Sequence, residues 1–209
     1  MKMYPEILLI PNEEIEQFPQ MSFPGEIHVI ETKEDIKKGI SYLKNCTELG
    51  FDTETRPSFK KGLSYPLSLL QLCDDTHAFL FRIQKTGLPK ELLAILSSKK
   101  IIKVGAAIHD DIIALKKVEK FKSTQFIDLQ TMAKKLLIEN FGLKKLTPLV
   151  LGFRISKRQQ LSNWDYETLT DAQKSYAATD AWVSLLIYKK LLPYYNDTIN
   201  SETGQRVEP

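Results

Sequence analysis

A chain of 209 residues is long enough to bury one sizeable core, and its 43% hydrophobic and 26% charged residues exclude the disordered, collagen-like and coiled-coil classes. Its apolar runs are too short to span a bilayer, and the patch from Ile7 to Ile10 follows an acid and lacks the basic start of a secretory signal. A cytoplasmic protein with no membrane partner is therefore expected, and its net charge of +3 conceals an asymmetry, because residues 99–158 hold 14 Lys or Arg against 5 Asp or Glu.

Residues 1–24 contain Pro5, Pro11, Pro19 and Pro24 and read as an irregular arm. A strand is predicted over 26–31, followed by a helix over 33–45 in which Ile36, Ile40 and Leu43 recur at helical spacing. Strand signals return at 48–54, 66–73 and 77–83, then a helix at 90–98 and a strand at 101–106 running into a helix over 108–118. A short strand at 126–129 leads into a helix through Leu137. Beyond it the chain reads as helical, broken at Gly142 and Gly152, with a long helix over 170–192 that Pro193 ends and a polar tail over 196–209. Strands that come first as a group and then alternate with helices predict an α/β domain over 25–195, a mixed sheet flanked by helices. Cys46 and Cys73 have no zinc-like spacing and suit buried, reduced structural roles.

Three segments place acids in or beside apolar stretches. In GFDTET, strand alternation puts Asp52 and Glu54 on one side and Phe51 and Thr53 on the other. In KVGAAIHDDIIAL, Asp111 shares a helical face with Ala107, Leu115 and Val118, whereas Asp110 shares one with Ala114 and Lys117. Asp111 is thus expected to face inward, although both acids also suit a solvated first helical turn. In QKSYAATDAW, Tyr176 and Asp180 are four apart and point the same way, with small Ala177, Ala178 and Ala181 around them. Several carboxylates brought together in a buried place are costly without a positive partner, which points to a divalent cation.

FDTET, VGAAIHDDIIAL and YAATDA, in this order, resemble the three motifs of the DEDDy 3′-to-5′ exonucleases, a branch of the ribonuclease H-like superfamily. The similarity runs over about residues 26–192 and extends to LSLLQL, GLKKL and LSNW. It is strongest to the Werner-syndrome-type exonuclease domain, with ribonuclease D next. The resemblance implies a ribonuclease H-like mixed sheet, with Asp52, Glu54, Asp111 and Asp180 as the four acids and Tyr176 as the tyrosine. It further implies two divalent cations, Mg²⁺ or Mn²⁺, and hydrolysis of the terminal phosphodiester of DNA or RNA with a free 3′ end, releasing nucleoside 5′-monophosphates. Asp52 would bridge the cations, Glu54 and Asp180 would complete the inner one, and Asp111 would act through bound water. Tyr176 would orient the attacking water.

Substrate contacts are less defined. Charge and polarity nominate Lys157, Arg158 and Asn163 for the backbone, and the basic middle of the chain is able to follow phosphates. Leu67, at the head of an apolar run, is a candidate wedge against the terminal base, which core packing explains equally well. Two other readings accompany the exonuclease: trimming of structured RNA 3′ ends in the manner of ribonuclease D, and a scaffold that binds nucleic acid without cleaving it.

Overall fold

The computed structural model describes residues 9–60, 62–139 and 141–203. The arm contains a one-turn helix α1 (Asn12–Ile15), and Ile10, Ile15 and Phe23 are buried against the domain. Pro19 and Met21 exchange backbone hydrogen bonds with Arg154, both of 2.9 Å, so the described part of the arm is tied to the C-terminal half. The sequence offered no periodic signal for a helix this short.

The strands are β1 (Glu26–Ile30), β2 (Glu48–Thr55), β3 (Leu67–Cys73), β4 (His77–Arg82), β5 (Ile102–Gly105) and β6 (Phe126–Asp128). They form one mixed sheet in the order β1-β4-β3-β2-β5-β6, antiparallel at β4–β3 and β3–β2 and parallel elsewhere. All of β3 is buried, as its apolar run LSLLQLC requires of a central strand. The helices are α2 (Lys33–Leu43), α3 (Ile83–Thr86), α4 (Lys90–Leu96), α5 (His109–Val118), α6 (Leu129–Lys135), α7 (Leu143–Leu151) and α8 (Asp171–Thr203). A capping box starts α2: Asp35 N–H donates to Thr32 Oγ1 at 3.1 Å, and Thr32 N–H donates to Asp35 Oδ2 at 3.0 Å.

Two cores lie on the two faces of the sheet. On one, Ile30, Phe51, Phe79 and Leu72 pack with Leu43, Leu92 and Leu115 from α2, α4 and α5. On the other, Val104 packs with Leu129, Leu146 and Leu185 from α6, α7 and α8, and Cys73 and Ala78 pack with Ala178 and Ala181. Cys46 and Cys73 are free thiols. Among the described residues, no helix is long and apolar enough to cross a membrane.

Pro193 does not end the last helix, which continues to Thr203 and so crosses into the expected polar tail. An internal proline costs about 3 kcal/mol through its lost hydrogen bond and ring clash. Here Leu191 is buried on the α6–α7 side, and Leu192, Tyr194 and Tyr195 pack against the same cluster, so burial on both sides of the proline offsets that cost. The tail beyond Thr203 lies outside the described residues.

The contact that sets the site is α8 upon β2. A Cβ on Gly50 would lie 1.9 Å from the carbonyl oxygen of Ala181, so the helix backbone rests directly on the strand. Ala177, Ala178 and Ala181 are fully buried along this seam. Larger residues at any of these positions would lift α8 away from β2 and carry its side chains out of reach of the strand.

Candidate active site

The alternation of β2 sends Phe51 into the core shared with α5, where it meets Phe126 edge-on at 5.2 Å, and sends Asp52 and Glu54 toward α8. From α8, Tyr176 and Asp180 descend onto the same place. One carboxylate oxygen from each of Asp52, Glu54 and Asp180 lies within 4.8 Å of the other two. Asp180 is 4% exposed; its Oδ2 accepts a hydrogen bond from Lys157 Nζ at 3.1 Å, and its Oδ1 is buried with no partner. The Lys157 ammonium also stands 5.5 Å from the centre of the Tyr176 ring.

The electrostatics follow first from burial and then from the mutual proximity of the acids, which Lys157 opposes. Burial, then the charges of Asp180 and Asp111, hold the Asp52 carboxyl well above the usual carboxylate range. Burial, then Asp52 and Asp180, push Glu54 up to about 10. Burial also raises Asp180, against the opposing pull of Lys157. The Tyr176 phenol is pushed up by burial and by the neighbouring Asp180 and Glu54 charges, so it is a hydrogen-bond donor and not a base. The donor set is all oxygen, one buried carboxylate oxygen is unpartnered, and the acids resist ionising together. These features fit a hard divalent cation such as Mg²⁺ or Mn²⁺.

Asp111 stands apart from the trio. It is partly buried at the start of α5 and accepts a hydrogen bond from the Thr53 hydroxyl, between the two strand acids, while its neighbour Asp110 is exposed. Burial pushes the Asp111 carboxyl up, opposed by the Thr53 bond. The turn before α5 is fixed by Asp128, whose Oδ1 accepts from Ala107 N–H at 3.0 Å and from Gln130 N–H at 2.8 Å. Ala107 has φ +61°, a left-handed conformation that a residue with a Cβ adopts at a cost.

The expected substrate residues separate. Lys157 is inside the acid cluster. Arg158 is exposed, and both basic residues line a cavity of about 430 Å³ with Lys144 and Arg154. The Asn163 side chain accepts from Asp165 N–H at 3.1 Å within its own turn, and it borders a cavity of about 320 Å³ with Arg56, Phe59 and Tyr65. Leu67 is 4% exposed and belongs to the core around Phe51, so packing accounts for it. Nor is the whole basic run a phosphate track, since Lys103 is fully buried, donates to the carbonyls of Ser98 and Ile101 at 3.1 and 2.7 Å, and is lowered to about 8 by burial.

Sequence reasoning missed three supporting residues. Gln71 is the register partner of Asp52 on the acid side of the sheet, fully buried with neither amide atom partnered. Its signal was a large polar amide within the apolar run LSLLQLC, where Ser68 is the other polar residue. Trp164 is fully buried 5.9 Å from the Tyr176 ring, held there by a loop that Gln173 straps to α8 through Ser162 Oγ at 2.8 Å and Asn163 O at 3.1 Å. Thr53 was placed on the face away from the acids, yet that is where Asp111 reaches it.

A family model described as 3′-5′ exonuclease matches residues 27–195. The chain belongs to the 3′-5′ exonuclease family. It is 33% identical over 186 residues to the mouse bifunctional 3′-5′ exonuclease/ATP-dependent helicase WRN, covering 84% of this chain and 13% of that protein. It is 36% identical over 166 residues to human exonuclease 3′-5′ domain-containing protein 2, covering 74% of this chain and 26% of that one. The exonuclease thus spans about a quarter or less of these relatives. In fold it is similar to the EXO domain of Aedes aegypti Nibbler, with a TM-score of 0.72 at 24% identity over 84% of this chain and 94% of that one. Escherichia coli RNase D gives 0.73 at 22% identity over 87% and 51%.

Proposed function

We propose that this exonuclease hydrolyses the last phosphodiester of a DNA or RNA strand with a free 3′ end and releases nucleoside 5′-monophosphates. The observation that carries this reading is the convergence of Asp52, Glu54 and Asp180, one carboxylate oxygen of each within 4.8 Å of the others, with Asp180 Oδ1 left unpartnered. Asp52, Glu54 and Asp180 would hold one Mg²⁺ or Mn²⁺, with Asp52 shared to a second and Asp111 acting on it through water. When bound, such cations stabilise the charge on the attacking and leaving oxygens of an in-line displacement.

The protein's own groups do the rest. Tyr176, kept protonated, donates to the attacking water and fixes its direction, with Trp164 beneath the ring holding its tilt. Lys157 is the countercharge of Asp180 and would meet the scissile phosphate, while Arg158 and Lys144, which line the adjoining cavity, would meet phosphates further along the strand. The test is a time course on matched 5′-labelled single-stranded DNA and RNA with Mg²⁺, Mn²⁺ or chelator, and Asp52→Ala as control. A metal-dependent ladder shortening from the 3′ end, absent in the variant, supports the reading and reports the preferred sugar. Strands bound but left whole under every metal would instead favour the scaffold.

A further inference from the structure

A second set of metal-ligand side chains lies on the other face of the sheet. Ile30 packs with α2, so Glu26 and His28, four and two residues earlier on β1, share that face, opposite the acids. Glu26 pairs with His77 across the parallel β1–β4 ladder, and the registers through Cys73 align this end with Gly50, at the start of β2, away from Glu54. One donor atom from each of Glu26, His28 and His77 lies within 4.8 Å of the other two, and His28 Nε2 is 3.7 Å from Glu26 Oε2.

We propose that Glu26, His28 and His77 form a second metal site, selective for a borderline divalent cation such as Zn²⁺ over Mg²⁺. Two imidazole nitrogens and one carboxylate oxygen are a zinc donor set with a position left for water, whereas Mg²⁺ prefers oxygen alone. Tetrahedral zinc with bonds of about 2.0 Å needs donors about 3.3 Å apart. Side-chain rotation closes the remaining gap of up to about 1.5 Å: Glu26, which is 75% exposed, swings in, and one imidazole turns out of its stack, because zinc lies in the plane of each ring that binds it.

The surroundings of His77 support the assignment independently. Its Nδ1 is 2.8 Å from Thr76 Oγ1, which is 3.1 Å from Asp74 Oδ1. Asp74 is itself fixed, accepting from His77 N–H at 2.7 Å and from the Tyr42 hydroxyl at 2.6 Å. Donation from Nδ1 to the hydroxyl and on to the carboxylate leaves Nε2 with its lone pair free, the outer-shell arrangement that fixes a metal-binding tautomer. His28 lies nearly parallel to His77 and to Phe79, at ring separations of 5.5 and 5.0 Å. Glu26 N–H donates to Thr76 O at 2.9 Å, and a Cβ on Gly25 would lie 2.1 Å from that oxygen, so the ligand-bearing backbones are held in close register. The ion would clip the edge strand β1 to β4.

The test uses tag-free full-length protein stripped with chelator, in excess Mg²⁺, titrated with Zn²⁺ by calorimetry and with Co²⁺ by visible absorption. The expected result is one Zn²⁺ equivalent, intense four-coordinate Co²⁺ bands and a Tm that climbs with the logarithm of Zn²⁺ concentration. All three persist in Asp52→Ala and in His109→Gln, the remaining histidine, which is exposed. Affinity falls at least about tenfold in His28→Gln, His77→Gln and Glu26→Gln; the last lies at an exposed position and keeps the fold whatever the histidine variants do. Loss of the signal in Asp52→Ala with Glu26→Gln and the histidine variants unchanged would place the ion at the exonuclease acids and overturn the proposal. No zinc heat and no cobalt bands in the parent would leave only a stacked ring cluster, and would overturn it equally.

Discussion

Replacing Glu54 by Gln should stabilise the metal-free protein at neutral pH and weaken it in the presence of metal. The side chain keeps its shape but can no longer ionise. Glu54 has its carboxyl raised to about 10, first by burial and then by Asp52 and Asp180. Between an ordinary carboxyl value of about 4.5 and that raised value, the folded state holds a proton that the unfolded state has released. Stability therefore falls as pH rises through this window. Each pH unit is worth at most about 1.4 kcal/mol, so at pH 7 the ceiling is about 3 kcal/mol. Protons shared among three coupled acids, with Lys157 beside them, reduce this to about 1–2 kcal/mol. For a domain of this length that corresponds to about 3–6 °C in Tm.

Thermal melts of parent and Glu54→Gln in EDTA at pH 5 and pH 7.5, repeated with Mn²⁺, make the comparison. The variant should melt higher in EDTA at pH 7.5, the margin should shrink toward pH 5, and Mn²⁺ should raise the parent more than the variant. A variant no more stable than the parent in EDTA at pH 7.5, or a margin indifferent to pH, would refute the view that these acids are held together against their own repulsion.

Asp52→Ala should abolish strand shortening while leaving the circular dichroism spectrum and melting cooperativity intact; a molten variant would count against a metal role for this acid. Tyr176→Phe should slow single-turnover cleavage with metal affinity retained in calorimetry, as expected of a phenol whose proposed role is to orient the attacking water, and a rate equal to the parent's would make the hydroxyl structural. Gly50→Ala should cost at least about 2–3 kcal/mol in urea melts, because its Cβ meets the Ala181 carbonyl and forces α8 off the strand. It should lower activity even where the protein is folded.

The strands and most helices were legible because their patterns were clean: β3 as a mainly apolar run between turns, α2 through Ile36, Ile40 and Leu43. The short helices α1 and α3 were not, since four residues carry no period. Pro193 misled for a different reason. Local propensity favours a break there, but burial of Leu191 and the tyrosines beyond it is a tertiary effect that no window of sequence contains.

The site divides along the same line. Alternation in β2 and the four-residue spacing in α8 bring Asp52, Glu54, Tyr176 and Asp180 to one side of their elements, and the small residues at Gly50 and Ala181 let those elements touch. Lys157 was nominated with Arg158 and Asn163 for the substrate backbone on charge and polarity alone, and charge in sequence says nothing of direction. Its ammonium points inward to Asp180, and among the described residues it is the one cation whose side chain is bonded to the acid trio. Burial raises all three carboxyls, the neighbouring carboxylates add to the rise at Asp52 and Glu54, and the single charge of Lys157 only partly opposes it, while one oxygen of Asp180 is left without a partner. A divalent cation bound as proposed would recover the free energy that burying these acids withholds from apo stability, so a substitution that removes an ionisable group here should gain stability by the same route through which it loses metal.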